Sequence, residues 1–322
     1  MSYPIYYLCA FVTALVAFSS IHKLESLYAT DEVLPHFNFA AAGDWGCSSD
    51  TENTLNSIQS RGPELVLGLG DYSYDTSADC WLDIIRPIEK IMKITIGNHE
   101  IEDSKLTDYM KHFGLDTEYY SFNFQNVHFL VMSDYAPDSS EESLQVYQKG
   151  SKQYNFVRND LSIASSDPQI DWIIVSHHVQ QYASTANYDI PVETKWNEIY
   201  HPLFEAYDTD LVLQGHQHNY QRTYPIKYNI ENPEKPIITD KSKHNYTNAE
   251  GQIFLTVGTG GINLQDLHGN QAPYLATTED EEYGFLDLNI INNNDNNKLT
   301  TSLSGRFNGN SGATIDQFMI TK

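Results

Sequence analysis

Basic residues and cysteine are scarce in this chain of 322 residues. Lys and Arg together number 19 against 43 Asp and Glu, a formal net charge of -24. Such a surface repels nucleic acid and anionic membrane at long range, so binding to a phosphate backbone is excluded as a general function. The acidic residues read first as a solubilising surface. A phosphate-bearing ligand would need local positive charge, most simply from bound metal. Three cysteines occur, Cys9, Cys47 and Cys80, and no two form a Cys-x-x-Cys pair. That argues against a zinc ribbon or finger. Cys47 and Cys80 either pair, as fits an exported protein, or stay as two buried thiols. Internal repeats are absent. The apolar run 5–18 is shorter than the roughly 20 residues of a spanning helix. It fits a signal-peptide core with Ala17-Phe18-Ser19 as cleavage site, although no Lys or Arg precedes it. Retained, it would be an N-terminal membrane anchor. Residues 1–35 are therefore read as leader or anchor plus linker, residues 36–322 as one domain, and the location as extracellular or cell-surface.

Hydrophobic residues make up 40% of the chain, enough for a large core. From Phe37 onward strand and helix signals alternate. Apolar runs at Phe37–Ala42, Glu64–Leu69 and Ile91–Ile96 read as buried strands, with helices over 50–60 and 81–90. Strand-then-helix order points to an α/β fold containing a parallel sheet. Tyr119–Ser133 reads as a hairpin split at Gln125-Asn126. Residues 141–164 read as one long helix with Leu144, Tyr147, Tyr154, Val157 and Leu161 inward. Further strands are expected at Trp172–Val175 and Leu211–Leu213. Runs at 252–257, 283–291, 299–304 and 314–321, with no long helix between them, read as an antiparallel completion. The polar stretch 228–250 reads as a surface loop and carries one sequon, Asn245-Tyr246-Thr247.

Five short motifs each follow an apolar run. They are Gly43-Asp44-Trp45-Gly46, Gly70-Asp71-Tyr72-Ser73-Tyr74, Gly97-Asn98-His99-Glu100, Ser176-His177-His178 and Gly215-His216-Gln217-His218. Glycine lets the chain turn sharply and approach a ligand closely. Taken singly, a Gly-Asp after a strand is usually a turn or a helix cap. Together they put carboxylate, phenol, amide oxygen and imidazole at one kind of place, the carboxyl end of strands, where open α/β sheets bind ligands. Asp71 can bridge two cations through its two oxygens. Tyr74, three residues on, can turn back to the same place, and a phenolate suits a hard trivalent ion such as Fe(III). Glu100 is read as a supporting group.

This set resembles the calcineurin-like metallophosphoesterases, and within them the purple acid phosphatases, over roughly residues 36–322. The shared pattern is Asp-x-Gly, Gly-Asp-x-x-Tyr, Gly-Asn-His-Glu, a strand-end His, and Gly-His-x-His. The resemblance implies a four-layer α/β/β/α sandwich with mixed sheets. It implies Fe(III) held by Asp44, Asp71, Tyr74 and His218. A divalent partner, iron, zinc or manganese, would be held by Asp71, Asn98, His177 and His216. The implied reaction is hydrolysis of phosphate monoesters in acid by a metal-bound hydroxide, with small phosphorylated substrates as partners. His99 is the candidate for phosphate contact or leaving-group protonation, and His178 for a substrate-side role. At the fourth motif, counting back from Val179 at the family's proline position selects His177 as the ligand. Counting Val-x-x-His from Val175 selects His178. The histidines that family members often carry about ten residues further on are missing, since no His stands between His178 and His201. A phosphodiesterase or nucleotide pyrophosphatase on the same metals, or a surface protein that captures phosphate without turnover, are the rival readings.

Overall fold

The computed structural model describes residues 36–102, 105–134, 148–184, 191–267, 271–295 and 298–322. The leader or anchor expected over 1–35 lies outside them. The first strands are β1 (His36–Ala42), β2 (Leu65–Gly68), β3 (Met92–Ile94), β4 (Tyr120–Phe124), β5 (Val127–Val131), β6 (Trp172–Ser176), β7 (Leu211–Gln214) and β8 (Tyr220–Thr223). There follow β9 (Ile226–Lys227), β10 (Ile237–Ile238), β11 (Asn245–Thr247), β12 (Ile253–Val257), β13 (Leu275–Glu279), β14 (Gly284–Asp295), β15 (Lys298–Gly309) and β16 (Thr314–Thr321). The helices are α1 (Ser49–Arg61), α2 (Asp79–Ile85), α3 (Asn98–Glu102), α4 (Leu106–Phe113), α5 (Lys152–Ala164) and α6 (Pro191–Ala206). No helix among the described residues is long and apolar enough to cross a membrane.

Two seven-stranded sheets carry the fold. One runs β11-β16-β15-β14-β1-β2-β3 and the other β13-β8-β12-β7-β6-β5-β4. Strand alternation divides the apolar residues between faces. Phe37, Phe39, Ala41, Leu65, Leu67, Trp172, Ile174, Leu211, Leu213 and Leu255 fill the space between the sheets. Their neighbours Ala40, Ala42 and Val66 face outward with Leu55, Ile58, Trp81 and Tyr109 of α1, α2 and α4. On the far side Ile173, Val175, Val212 and Phe254 meet Val157, Leu161, Trp196 and Phe204 of α5 and α6. Both faces of the central strands are covered, which is why they read as unbroken apolar runs rather than alternating ones. Each such Leu or Phe contributes about 1.5–3 kcal/mol on burial. The result is the four-layer α/β/β/α sandwich expected from the sequence.

Several boundaries differ from expectation. The long helix begins at Lys152, because Ser151 caps it by accepting the Tyr154 N–H and Gly150 before it has φ +98°. Residues 135–147 lie outside the described residues. The expected helix over 81–90 is α2 followed by a single 3-10 turn, Glu89–Ile91. The run 252–257 is not wholly antiparallel: β12 lies parallel to β7 and antiparallel to β8. Within 228–250 the chain forms β10, which pairs with β9 just before the stretch, and the edge strand β11, where Asn245 is exposed.

His201 of α6 is wholly buried between the Tyr182 hydroxyl, 2.7 Å from Nδ1, and Gln252 Oε1, 3.1 Å from Nε2. Burial pushes its imidazole down to about 4, and the Gln252 bond only partly opposes this. An unfolded histidine titrates near 6.5. Between those two values the unfolded chain binds more protons, so this group makes stability fall as pH drops from about 6.5 to about 4, by about 3 kcal/mol in all. Below the lower value its contribution is constant. Urea midpoints measured across that window should slope less in His201→Gln than in the wild type. An unchanged slope would remove His201 as the cause.

Candidate metal centre

The five motifs converge at the carboxyl ends of β1, β2 and β3 in one sheet and of β6 and β7 in the other. The turns are stitched together by main chain: Asp44 N–H donates to Gly70 O at 3.0 Å and Trp45 N–H to Asp71 O at 2.8 Å. Gly260 N–H donates to Gly43 O at 2.8 Å, bringing the Gly258–Gly261 segment across the site. Three donor residues stand in left-handed backbone, Asp44 at φ +59°, Asp71 at φ +53° and His216 at φ +68°. Such conformations cost about 1–3 kcal/mol each and persist where surrounding structure imposes them. Gly97 shows how tight the assembly is, since a Cβ there would overlap Asp71 Oδ1.

Two donor groups share Asp71. On one side Tyr74 Oη lies 3.3 Å from Asp44 Oδ1, 3.3 Å from Asp71 Oδ2 and 3.1 Å from His218 Nε2. On the other, His178 Nε2 is 3.2 Å from Asp71 Oδ2 and 3.3 Å from His216 Nδ1. Asn98 Oδ1 lies 3.1 Å from the same His216 nitrogen. The imidazoles are aimed by carbonyl oxygens. His178 Nδ1 donates to Leu69 O at 2.7 Å and His218 Nδ1 to Asn263 O at 2.9 Å, which leaves both Nε2 lone pairs toward the carboxylates. Glu100 is wholly buried and accepts three main-chain N–H groups, those of Asp71, Tyr72 and Gly97, at 2.8–2.9 Å. It fixes both turns, the supporting role expected of it. His99 sits at the open side, its ring centroid 4.1 Å from that of Tyr74 and its Nε2 4.0 Å from Asp71 Oδ2.

The placement of the two strand-end histidines is the reverse of the preferred reading. His177 lies outside the donor groups, stacked on Trp196 at 4.7 Å, with Nδ1 3.1 Å from Asp134 Oδ1. Its Nε2 is 3.1 Å from Gln181 Oε1 and 3.0 Å from Gln214 Nε2. His178 takes the place expected of His177, and being wholly buried it has no face for substrate. Successive residues leaving a strand point to opposite faces, so only one of the pair can enter the cluster. Asp134 was not flagged by the sequence, although it too follows an apolar run, Val127–Met132. The segment 185–190, downstream of His178, lies outside the described residues.

The electrostatics fit a cation. Burial works against ionisation of Asp71, but the charge and hydrogen bond of His178 hold its carboxyl well below the usual range. Burial pushes Asp44 up despite His178, with Asp71 adding to the shift. His178 itself would lose its proton on burial, yet Asp71 and Asp44 raise it. Burial and the two carboxylates push the Tyr74 phenol far up. A proton on His178 therefore does what a metal ion would do better. The cluster demands positive charge, and its donors are oxygen and imidazole, the set for hard and borderline first-row metals. Cys47 and Cys80 form a disulfide, Cα–Cα 6.0 Å, joining the loop after Asp44 to the helix after Tyr74.

A model of the calcineurin-like phosphoesterases matches residues 36–220. Purple acid phosphatase 15 of Arabidopsis thaliana is 26% identical over 288 residues, covering 76% of this chain and 49% of that protein. The probable inactive purple acid phosphatase 1 of the same plant is 31% identical over 149 residues, 45% of this chain and 23% of the relative. The chain spans about half the length of the curated relatives it matches. Among solved structures, a purple acid phosphatase from yellow lupin (Lupinus luteus) seeds gives a TM-score of 0.72 at 22% identity, over 89% of this chain and 54% of that one. GAP50, the anchor in the inner membrane complex of Plasmodium, gives 0.62 at 15% identity over 88% and 87%. At these identities the likenesses show the fold.

Proposed function

This chain belongs to the calcineurin-like phosphoesterase family, and from that premise we propose that it is an acid phosphatase that hydrolyses phosphate monoesters at a pair of metal ions. The observation that carries this is the sharing of Asp71 by two donor groups, one with a phenol and one without. Asp44, Asp71, Tyr74 and His218 form the harder set and suit Fe(III). Asp71, Asn98, His178 and His216 suit divalent iron, zinc or manganese. When bound, such a pair supplies charge to both the attacking and the leaving oxygen of an in-line displacement and lowers the pKa of water. The protein's own groups do the rest. Glu100 holds the Asp71 and Gly97 turns, and the carbonyls of Leu69 and Asn263 hold the ring tautomers. His99 Nε2, on the open side, is placed to bond a phosphate oxygen and to pass a proton to the leaving group.

The Cys47–Cys80 disulfide supports a location outside the cytoplasm, with residues 1–35 as the leader or anchor that takes it there. A second reading, a surface protein that binds phosphate without turnover, draws on the absence of histidine between His178 and His201. It also draws on the likeness in fold, across most of both chains, to GAP50, the anchor in the inner membrane complex of Plasmodium.

The test is the visible spectrum of the purified protein, taken with hydrolysis of p-nitrophenyl phosphate and of its bis ester across pH. A broad visible band that vanishes in Tyr74→Phe, with monoester turnover peaking in acid, is the expected result. Preference for the bis ester would make it a diesterase. Colour without turnover would favour the binding protein, and turnover without colour would remove iron from the assignment.

A further inference from the structure

One carboxylate at the end of β5 holds three consecutive residues at the end of β6. The two strands pair in parallel, and Asp134 stands just past β5 beside the chain that leaves β6. It is buried, at 1% exposure. His177 still gives its N–H to Leu213 O at 3.1 Å, within the ladder. The next two N–H groups have left it. Asp134 Oδ2 accepts both, from His178 and, at 2.8 Å, from Val179. Its Oδ1 meanwhile lies 3.1 Å from His177 Nδ1. The carboxylate thus draws the ring of residue 177 inward against Trp196. With that ring fixed on one face, residue 178 must leave on the other, where Leu69 O and Asp71 receive it.

We infer that Asp134 is a positioning residue. It sets the backbone of residues 178 and 179 so that His178 Nε2 faces Asp71 and His216, and His177 is its inner anchor rather than a ligand. The inference rests on the two-metal reading above. Groups that orient metal ligands typically change metal affinity by about 10- to 100-fold when altered. Asp134→Asn leaves a single acceptor oxygen for three donors. Zinc titration of the full chain, after its divalent ion has been stripped, should therefore show binding weaker by about 10- to 100-fold. The visible band that depends on Tyr74 should remain, because Asp44, Tyr74 and His218 do not depend on β6. His177→Gln should keep zinc affinity near that of the wild type, and this holds as a test even if Asp134→Asn does not fold.

Wild-type zinc affinity in a folded Asp134→Asn overturns the assignment. So does loss of zinc and of the visible band together, which would mean a general collapse. Loss of zinc in His177→Gln as severe as in His178→Gln also overturns it, by making residue 177 a ligand. A wild-type protein that takes up no second ion overturns the two-metal reading itself, and this assignment with it.

Discussion

Asp71→Asn is expected to yield a folded protein that holds neither metal ion and turns over monoesters at least about 10³-fold more slowly. The substitution is chosen because it changes charge and little else. Asparagine accepts left-handed backbone more readily than most residues, so the φ of +53° is tolerated. The main-chain N–H still reaches Glu100 Oε2 at 2.9 Å. What is lost is the negative oxygen that lies 3.3 Å from Tyr74 Oη and 3.2 Å from His178 Nε2. A two-metal clamp is worth several kcal/mol to a displacement, and each 1.36 kcal/mol, roughly, is tenfold in rate. Metal content, kcat and melting temperature should be measured on one preparation. Two ions per chain with wild-type turnover would show that Asp71 bridges nothing.

The largest loss of stability is expected away from this cluster, at Asp316. Its carboxylate takes Arg222 Nε at 2.6 Å and Nη2 at 2.9 Å, and the Tyr220 hydroxyl at 2.8 Å. Arg222 belongs to β8 of one sheet and Asp316 to β16 of the other, so the pair ties the two sheets together through their shared core. The guanidinium is wholly buried and also reaches Tyr246 Oη at 3.0 Å and Lys243 O at 2.9 Å. Asp316→Ala leaves that charge without its counter-ion, which should cost about 3–5 kcal/mol, or roughly 10 °C in melting temperature. Replacing both partners with apolar residues, Arg222→Met with Asp316→Leu, should recover most of the loss. A scanning-calorimetry shift under about 2 °C for the single variant would sink the argument. Because β8 starts two residues after His218, the same tie steadies the loop that carries His216 and His218.

The strand ends were legible because a strand covered on both faces leaves an unbroken apolar run, and the donors follow such runs directly. Gly70 and Gly97 announced the turns. The choice between His177 and His178 was left open by two conflicting counts, of which the one from Val175 pointed to His178, and local alternation says only that they part. Which one goes inward is decided by Asp134, which sequence places 43 and 44 residues away and the sheet places beside them. Its own signal was the same as that of the other donors, a carboxylate after an apolar run. Strand direction was hidden for a similar reason: nothing in Ile253–Val257 records that β12 pairs parallel to β7. Nor does the sequence show that α5 starts only at Lys152, where Ser151 and Gly150 set the boundary.

The Cys47–Cys80 disulfide fastens the cluster unevenly. It closes a covalent ring that includes Tyr74 and Asp71 and begins three residues beyond Asp44. Asp44 and His218 on one side, and Asn98, His178 and His216 on the other, lie outside that ring and are kept in place by packing and hydrogen bonds. Local opening starts where the chain is held least. On the two-metal reading the two halves would therefore differ in lability: an ion beside His178, with only the shared Asp71 inside the ring, would exchange more readily than one beside Tyr74, which has two of its ligands there. Metal analysis of this protein would read the medium it was kept in on one side, and the conditions in which it folded on the other.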